Sequence, residues 1–87
     1  MKITERTLVY MCRRVNSEQL NHWDSGLKVE RRGDGYAVFR IFRKPQNGRP
    51  GYLDLYYGSP REVKAFIAGF AHAVELANNG AARGAKI

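Results

Sequence analysis

The sequence predicts an α+β domain in which a three-stranded antiparallel sheet is packed by a C-terminal amphipathic helix and preceded by an N-terminal helical segment. Two β-favouring runs, residues 27–32 and 36–44, flank Gly33-Asp34-Gly35, which is a strong hairpin signal. A third β-favouring run covers residues 52–57. After Pro60 the apolar residues recur with a helical period, which predicts the closing amphipathic helix.

The N-terminal segment, residues 1–25, is predicted to be helical. Over residues 4–15 the apolar side chains fall on one side of a 3.6-residue period, and they are Leu8, Met11, Cys12 and Val15. The run Thr7-Leu8-Val9-Tyr10 favours β structure, so a strand remains the alternative there. Asn16 and Gln19 resemble a capping pair, which predicts a short second helical piece before residue 25.

The C-terminal helix is predicted over residues 59–79. Ser59-Pro60-Arg61-Glu62 combines a Ser cap, Pro at the first helical position and Glu at the third. The apolar stripe that would pack on the sheet comprises Val63, Phe66, Ile67, Phe70, Val74 and Ala77. Asn78-Asn79-Gly80 is typical of a helix end, and residues 80–87 form a tail that we expect to be mobile.

Length and composition predict one domain over residues 1–87, with its sheet in residues 27–57. A chain of 87 residues buries only ~60% of the surface that its unfolded form exposes, which excludes a large enzyme fold with a separate cofactor domain. Apolar residues make up 44% of the chain, a fraction typical of globular proteins. The single cysteine, Cys12, excludes an intramolecular disulfide and favours a reducing, cytoplasmic location, the host cell cytoplasm if the protein is phage-encoded.

The sequence also predicts a soluble protein without a membrane partner. No stretch approaches the ~20 apolar residues of a membrane span. Glu5, Arg13 and Arg14 interrupt the N-terminus, which therefore lacks the order of a signal peptide.

Side chains suited to catalysis are few, and the sequence predicts no enzyme. His22 and His72 are the only candidates for a general base at neutral pH, and no Ser or Cys stands in a recognisable nucleophile setting. Cys12 lies on the apolar stripe of the first helix, where a cysteine behaves as a small hydrophobe. One cysteine and two distant histidines give no metal-ligand spacing, so we expect no metal and no cofactor.

The positive charge is concentrated in the middle of the chain. The formal net charge is +7, and residues 26–50 carry seven of the 15 basic residues but only two of the 8 acidic ones. Because successive strand side chains alternate between faces, we assign Ala37, Phe39 and Ile41 to the helix-covered face of the second strand. On the third strand, Leu53, Leu55 and Tyr57 are assigned to that face as well.

The outer face would then carry aromatic rings interleaved with Lys and Arg, a composition that suits nucleic acid. Cations displace counterions from phosphates, and flat rings stack on bases. A basic loop over residues 44–49, between the second and third strands, is predicted to belong to the same site. The predicted binding residues are Lys28, Arg32, Tyr36, Arg40, Phe42, Arg43, Lys44, Arg49, Tyr52 and Tyr56.

Other interpretations of this face stay open at the level of the sequence. If the first helix covers it, the aromatic residues form a second core layer. If it stays exposed, it is equally suited to a protein partner or a homodimer interface, because Tyr and Arg are enriched at such interfaces.

The predicted order of helix, three strands and helix resembles the double-stranded-RNA-binding domain, with residues 60–77 as the closing helix. That resemblance implies RNA binding, with Arg61 and Lys64 matching the family's basic cluster. Residues 27–77 also resemble the three-strand DNA-reading domain of plant ethylene-response factors and of phage integrase arm-binding domains. That second resemblance implies that Lys28, Arg32 and Arg40 lie against the DNA major groove.

In size and type the chain is also similar to the accessory proteins with which phages and mobile elements disable host systems, including anti-CRISPR proteins. This resemblance implies an inhibitor that binds a host protein or nucleoprotein complex. A net charge of +7 argues against mimicry of a nucleic acid and leaves direct blocking of a host protein open.

Overall fold

Two helices and a three-stranded antiparallel sheet make up the part of the chain that the structure, a computed structural model, describes: residues 2–21, 23–43 and 51–82. In chain order these are α1 (Glu5–Glu18), β1 (Ser25–Arg32), β2 (Gly35–Phe42), β3 (Tyr52–Gly58) and α2 (Pro60–Ala82). The strand order in the sheet is β1-β2-β3, and both helices pack on the sheet. The predicted α+β fold class is therefore confirmed.

A two-residue turn at Gly33-Asp34 sets the pairing of the first two strands. Gly33 has a φ of +59°, and Asp34 has a negative φ, which is the pattern of a type II′ turn. Glycine suits the first position because an L side chain is strained in that region. The turn places Arg32 opposite Gly35, and the same register places Val29 opposite Val38.

The hydrophobic core lies on one face of the sheet, between the sheet and both helices. It is a single cluster of buried residues: Leu8, Cys12, Val15, Leu20, Leu27, Val29, Tyr36, Val38, Val63, Ile67 and Val74. Because α1 and α2 both contribute to this cluster, they cover the same sheet face. Ala37 and Phe39 point away from it, so no described helix covers the opposite face, which we call the open face.

An irregularity in the pairing of β2 with β3 changes the alternation along β3. Tyr56 lies opposite Val38, but Asp54 lies opposite Phe39, so Leu55 is an extra residue between the two pairs. Because one residue is inserted, Tyr56 joins the helix-covered face while Tyr57 moves to the open face.

Both helices begin at predictable caps. The Thr4 Oγ1 accepts the Thr7 N–H at 3.3 Å at the start of α1. At the start of α2 the Glu62 N–H donates to Ser59 Oγ at 3.2 Å, and the Ser59 N–H donates to Glu62 Oε1 at 2.9 Å. This is the capping box that the sequence predicts. The hydrogen bond that the Ser59 N–H donates to the Glu62 carboxylate is the largest cause of the lowered pKa of Glu62.

The predicted first helix is confirmed, and its strand alternative over residues 7–10 does not form, but two boundary predictions are wrong. The helix α1 continues through Asn16 to Glu18, and the described residues before β1 contain no separate second helical piece. The helix α2 runs past Asn78 and Gly80 to Ala82 rather than ending near residue 79. Residues 83–87 of the predicted mobile tail lie outside the described residues.

Asn78 and Asn16 do not act as helix stop or start signals, because tertiary partners use their side chains. The Asn78 Oδ1 accepts the Trp23 Nε1–H at 3.1 Å, while its Nδ2 donates to the Gln19 carbonyl at 2.8 Å. Asn16 pairs with the edge of β1: its Nδ2 donates to the Leu27 carbonyl at 3.0 Å, and the Leu27 N–H donates to Asn16 Oδ1 at 2.7 Å. The Asn78 contacts tie α2 to the segment between α1 and β1.

We expect Asn16→Ala to lower the free energy of unfolding by about 1–3 kcal/mol, because the partly buried Leu27 N–H and carbonyl lose their partners. Urea denaturation measures this change. The control is Asn21→Ala, which removes an exposed side chain and should change the value by less than about 0.5 kcal/mol. Equal effects of the two substitutions would contradict the edge-pairing role of Asn16.

Candidate functional site

The open face of the sheet has an apolar centre with polar side chains on both sides. Its centre is the row that β2 contributes, which comprises Gly35, Ala37, Phe39 and Ile41. On one side β1 contributes Lys28, Glu30 and Arg32, and on the other side β3 contributes Tyr52, Asp54 and Tyr57. Cross-strand neighbours share a face, so the pairing register alone brings these side chains together.

Phe39 is the centre of this face, and other open-face side chains cover it. Only 4% of Phe39 is exposed, although no described helix lies above it. The guanidinium carbon of Arg32 lies 4.7 Å from the Phe39 ring centroid, a cation–π contact. The Tyr52 ring meets the Phe39 ring edge to face, with centroids 5.7 Å apart and planes at 90°. Phe39 therefore holds both Arg32 and Tyr52 in place.

A shallow depression of about 270 Å³ lies beside this contact. The side chains that line it are Lys28, Glu30, Arg32, Phe39, Ile41 and Tyr52. The depression thus has two cationic side chains, one carboxylate and the half-exposed ring of Tyr52 around it, and Phe39 and Ile41 form its apolar part.

Charges of both signs stand on the open face. Lys28 and Arg32 are cationic, whereas Glu30 and Asp54 are anionic. Within the described ranges the only ion pair joins Arg14 to Glu18 on α1, so none of the four open-face charges is neutralised by a direct protein partner there. Among these four side chains the open face therefore has no excess of positive charge.

Tyr57 closes the end of the open face next to the β1–β2 turn. Its hydroxyl donates to the Arg32 carbonyl at 2.9 Å. A Cβ atom on Gly35 would lie 3.0 Å from the Tyr57 ring and 2.7 Å from the Gly58 carbonyl oxygen. Glycine at position 35 is what allows this close approach.

Of the predicted binding residues, the structure brings Lys28, Arg32 and Tyr52 together on the open face. Arg43 follows β2, is exposed, and donates its backbone N–H to the Asp24 carbonyl at 2.9 Å. Lys44 and Arg49, with the predicted basic loop, lie outside the described residues.

The predicted placement of four other residues on the outer face is wrong. Tyr36, Arg40, Phe42 and Tyr56 lie on the helix-covered face, while Ala37, Phe39, Ile41 and Tyr57 lie on the open face. The faces of β2 differ from the prediction because the turn has two residues. It therefore pairs the odd-numbered, core-facing residues of β1 with even-numbered residues of β2. For β3 the cause is the inserted Leu55.

Arg40 has a packing role on the helix-covered side. Its Nε–H donates to the Oγ of Ser25 at 2.7 Å, and Ser25 is only 1% exposed. The guanidinium carbon lies 5.7 Å from the Trp23 ring and 5.1 Å from the Phe42 ring. Arg40 thus supplies a hydrogen bond to a buried hydroxyl and joins two aromatic rings.

Tyr36 and Tyr56 are likewise structural. Tyr36 is a member of the buried core. Tyr56 stacks on Phe66 of α2, with centroids 4.9 Å apart and planes at 6°, and Phe66 in turn contacts Phe70. These rings anchor α2 on the sheet rather than offering a surface to a ligand.

Sequence reasoning missed Phe39, Ile41 and Glu30 as members of the site. The signal that identifies the first two is the length of the turn. If Gly33-Asp34 alone forms the turn, Lys28 pairs with Phe39, and the face of every β2 residue follows. No signal in the sequence reveals that Glu30 lines a depression.

Cys12 and His72 lie on the two helices, away from the open face. Cys12 is buried in the core, and burial raises the pKa of its thiol to about 11, so the reactive thiolate is disfavoured. His72 is exposed on α2, and His22 lies outside the described residues. Within the described ranges, no three His, Cys, Asp or Glu side chains are grouped so that they could hold a metal ion.

Neither described helix combines the length and apolar character that crossing a membrane requires.

Comparison with protein-family models, with curated proteins and with solved structures gives no match.

We expect Tyr56→Ala to lower the free energy of unfolding by about 2 kcal/mol or more, because it removes a ring that is stacked in the core-side interface. Tyr52→Ala should cost less than about 1 kcal/mol, since half of Tyr52 is exposed. Parallel urea titrations compare the two. A larger loss for Tyr52→Ala than for Tyr56→Ala would contradict the assignment of faces.

Proposed function

We propose that this protein is a non-enzymatic binding protein that binds nucleic acid through the open face of the sheet. The observation that carries the proposal is the arrangement of Arg32 and Tyr52 about Phe39 on a sheet face that no described helix covers. Such a surface presents flat, preorganised groups to unpaired bases.

Tyr52 is the residue best suited to stacking. Half of its surface is exposed, and its edge-to-face contact with Phe39 fixes the orientation of its ring. Stacking of a base on an aromatic side chain contributes ~1–3 kcal/mol and tolerates any base. Because Phe39 is itself covered, it supports Tyr52 and Arg32 instead of stacking on the ligand.

Phosphate contacts are assigned to basic side chains on and beside this face. Lys28 and Arg32 stand on β1, and the exposed Arg43 lies just beyond β2. Lys44 and Arg49 remain predicted contacts in the loop that follows. The net charge of +7 favours the approach of a polyanion, and it makes the affinity salt-dependent.

A protein partner is the second candidate, in the manner of a phage-encoded, anti-CRISPR-like inhibitor that blocks a host protein or nucleoprotein complex. The observation that favours it is the equal number of cations and carboxylates around an apolar row, since nucleic acid gives a carboxylate no charged partner. A second copy of this chain is one possible occupant of such a face.

The test is fluorescence anisotropy with single- and double-stranded DNA and RNA at low and physiological salt. We expect single strands to bind at physiological salt and Tyr52→Ala to weaken binding by about fivefold or more, which corresponds to the lower end of the stacking energy. Tyr10→Ala is the matched control, because Tyr10 is 60% exposed on α1, away from the open face. This control should bind like the unmodified protein.

A second pair of variants separates local contacts from overall charge. Lys28→Glu and Lys64→Glu change the net charge equally, but only Lys28 stands on the open face. We expect the larger loss for Lys28→Glu. Equal losses in the two variants, or binding that disappears at physiological salt, would show that the attraction to nucleic acid is nonspecific. That result would favour the protein partner, which is then sought by pull-down after nuclease treatment.

A further inference from the structure

We propose that the depression beside Phe39 selects an unpaired guanine, whose Watson–Crick edge donates two hydrogen bonds to the carboxylate of Glu30. This inference rests on the proposed function, because it names the base that the same site prefers. It follows from the position of Glu30, from its unused acceptor atoms and from the chemistry of the four bases.

Glu30 is positioned to act on a ligand in the depression. It lines the depression, and its neighbour across the sheet is Ala37. Lys28 and Arg32 stand two residues away on either side, about 7 Å along the same strand face. Their charges offset the repulsion between the Glu30 carboxylate and the phosphates of a nucleic acid.

The acceptor atoms of Glu30 are not used within the described part of the protein. Its side chain takes part in none of the hydrogen bonds there, and the one ion pair in those residues joins Arg14 to Glu18. An ionised carboxylate accepts hydrogen bonds through both oxygens and donates none. A ligand that offers two adjacent donors therefore matches it.

Guanine is the only common base with that pattern. Its N1–H and 2-amino group are adjacent donors on the Watson–Crick edge. Adenine and cytosine place an acceptor beside their amino group, and thymine and uracil have one N–H between two carbonyl oxygens. A carboxylate forms two hydrogen bonds with guanine alone, and such charge-assisted, bidentate pairs are among the strongest in proteins.

The size and walls of the depression suit one base. Its volume of about 270 Å³ is just below the ~300–1,000 Å³ of sites for drug-sized ligands, so it accommodates a single ring system. The Tyr52 ring stands perpendicular to the Phe39 ring and forms one wall. Tyr52 and Glu30 both line the depression, so a base that stacks on this wall shares the cavity with the Glu30 carboxylate.

The experiment measures the affinity for an oligothymidine that carries one guanine, adenine, cytosine or inosine at its centre. We expect about tenfold tighter binding for guanine than for adenine or cytosine, within the range of discrimination that a bidentate contact gives. Inosine lacks the 2-amino group and should lose most of this preference. Replacement of guanine by 7-deazaguanine, which keeps both donors, should leave it unchanged.

Glu30→Gln is the decisive variant, because an amide keeps the shape but replaces one acceptor by a donor. It should lose the guanine preference while it retains binding to oligothymidine. Asp54→Asn is the matched control, since Asp54 is the other carboxylate on the open face but does not line the depression. We expect this control to keep the guanine preference.

The outcomes distinguish the inference from the proposed function. Equal affinity for all four oligonucleotides, with binding that still depends on Tyr52, overturns guanine selection and leaves the proposed function in place. A guanine preference that persists in Glu30→Gln overturns the assignment to Glu30. Absence of binding to every oligonucleotide overturns both.

Discussion

The pairing of β1 with β2 through the two-residue turn at Gly33-Asp34 is the constraint on which the rest of the structure depends. Because side chains alternate along a strand, a shift of one residue would exchange the two faces of β2. The observed register places Val38 against Val29 in the core and Phe39 beside Lys28 on the open face. The positive φ of Gly33 therefore fixes both what the helices cover and what remains available to a ligand.

The two faces of the sheet consequently differ in their chemistry. On the helix-covered face, Tyr56 stacks on Phe66, and Arg40 bonds to the buried Ser25, so aromatic and basic side chains serve stability there. On the open face, Arg32 and Tyr52 contact Phe39 but retain exposed surface. The same residue types thus differ in what they contact, and their position relative to the helices is what distinguishes them.

The elements of the fold could be predicted from the sequence because their signals are local. The capping box at Ser59 and Glu62 and the apolar stripe of α2 each lie within a few residues. The faces of β2 and β3 could not be assigned in this way, since they depend on the length of one turn and on the inserted Leu55. The Asn78 side chain makes tertiary hydrogen bonds within α2 instead of marking its end, and no local pattern reveals these partners. Lys28, Arg32 and Tyr52 were placed correctly because neither error affected their faces.

The most direct test of the central claim, that the open face is the binding surface, is a titration of the ¹⁵N-labelled protein with a single-stranded oligonucleotide, followed by NMR. If the open face binds the oligonucleotide, the largest chemical-shift changes occur at Lys28, Glu30, Phe39 and Tyr52, and exposed helix residues such as Tyr10 and Lys64 change little. Changes concentrated on α1 and α2, with the open-face residues unperturbed, would contradict it.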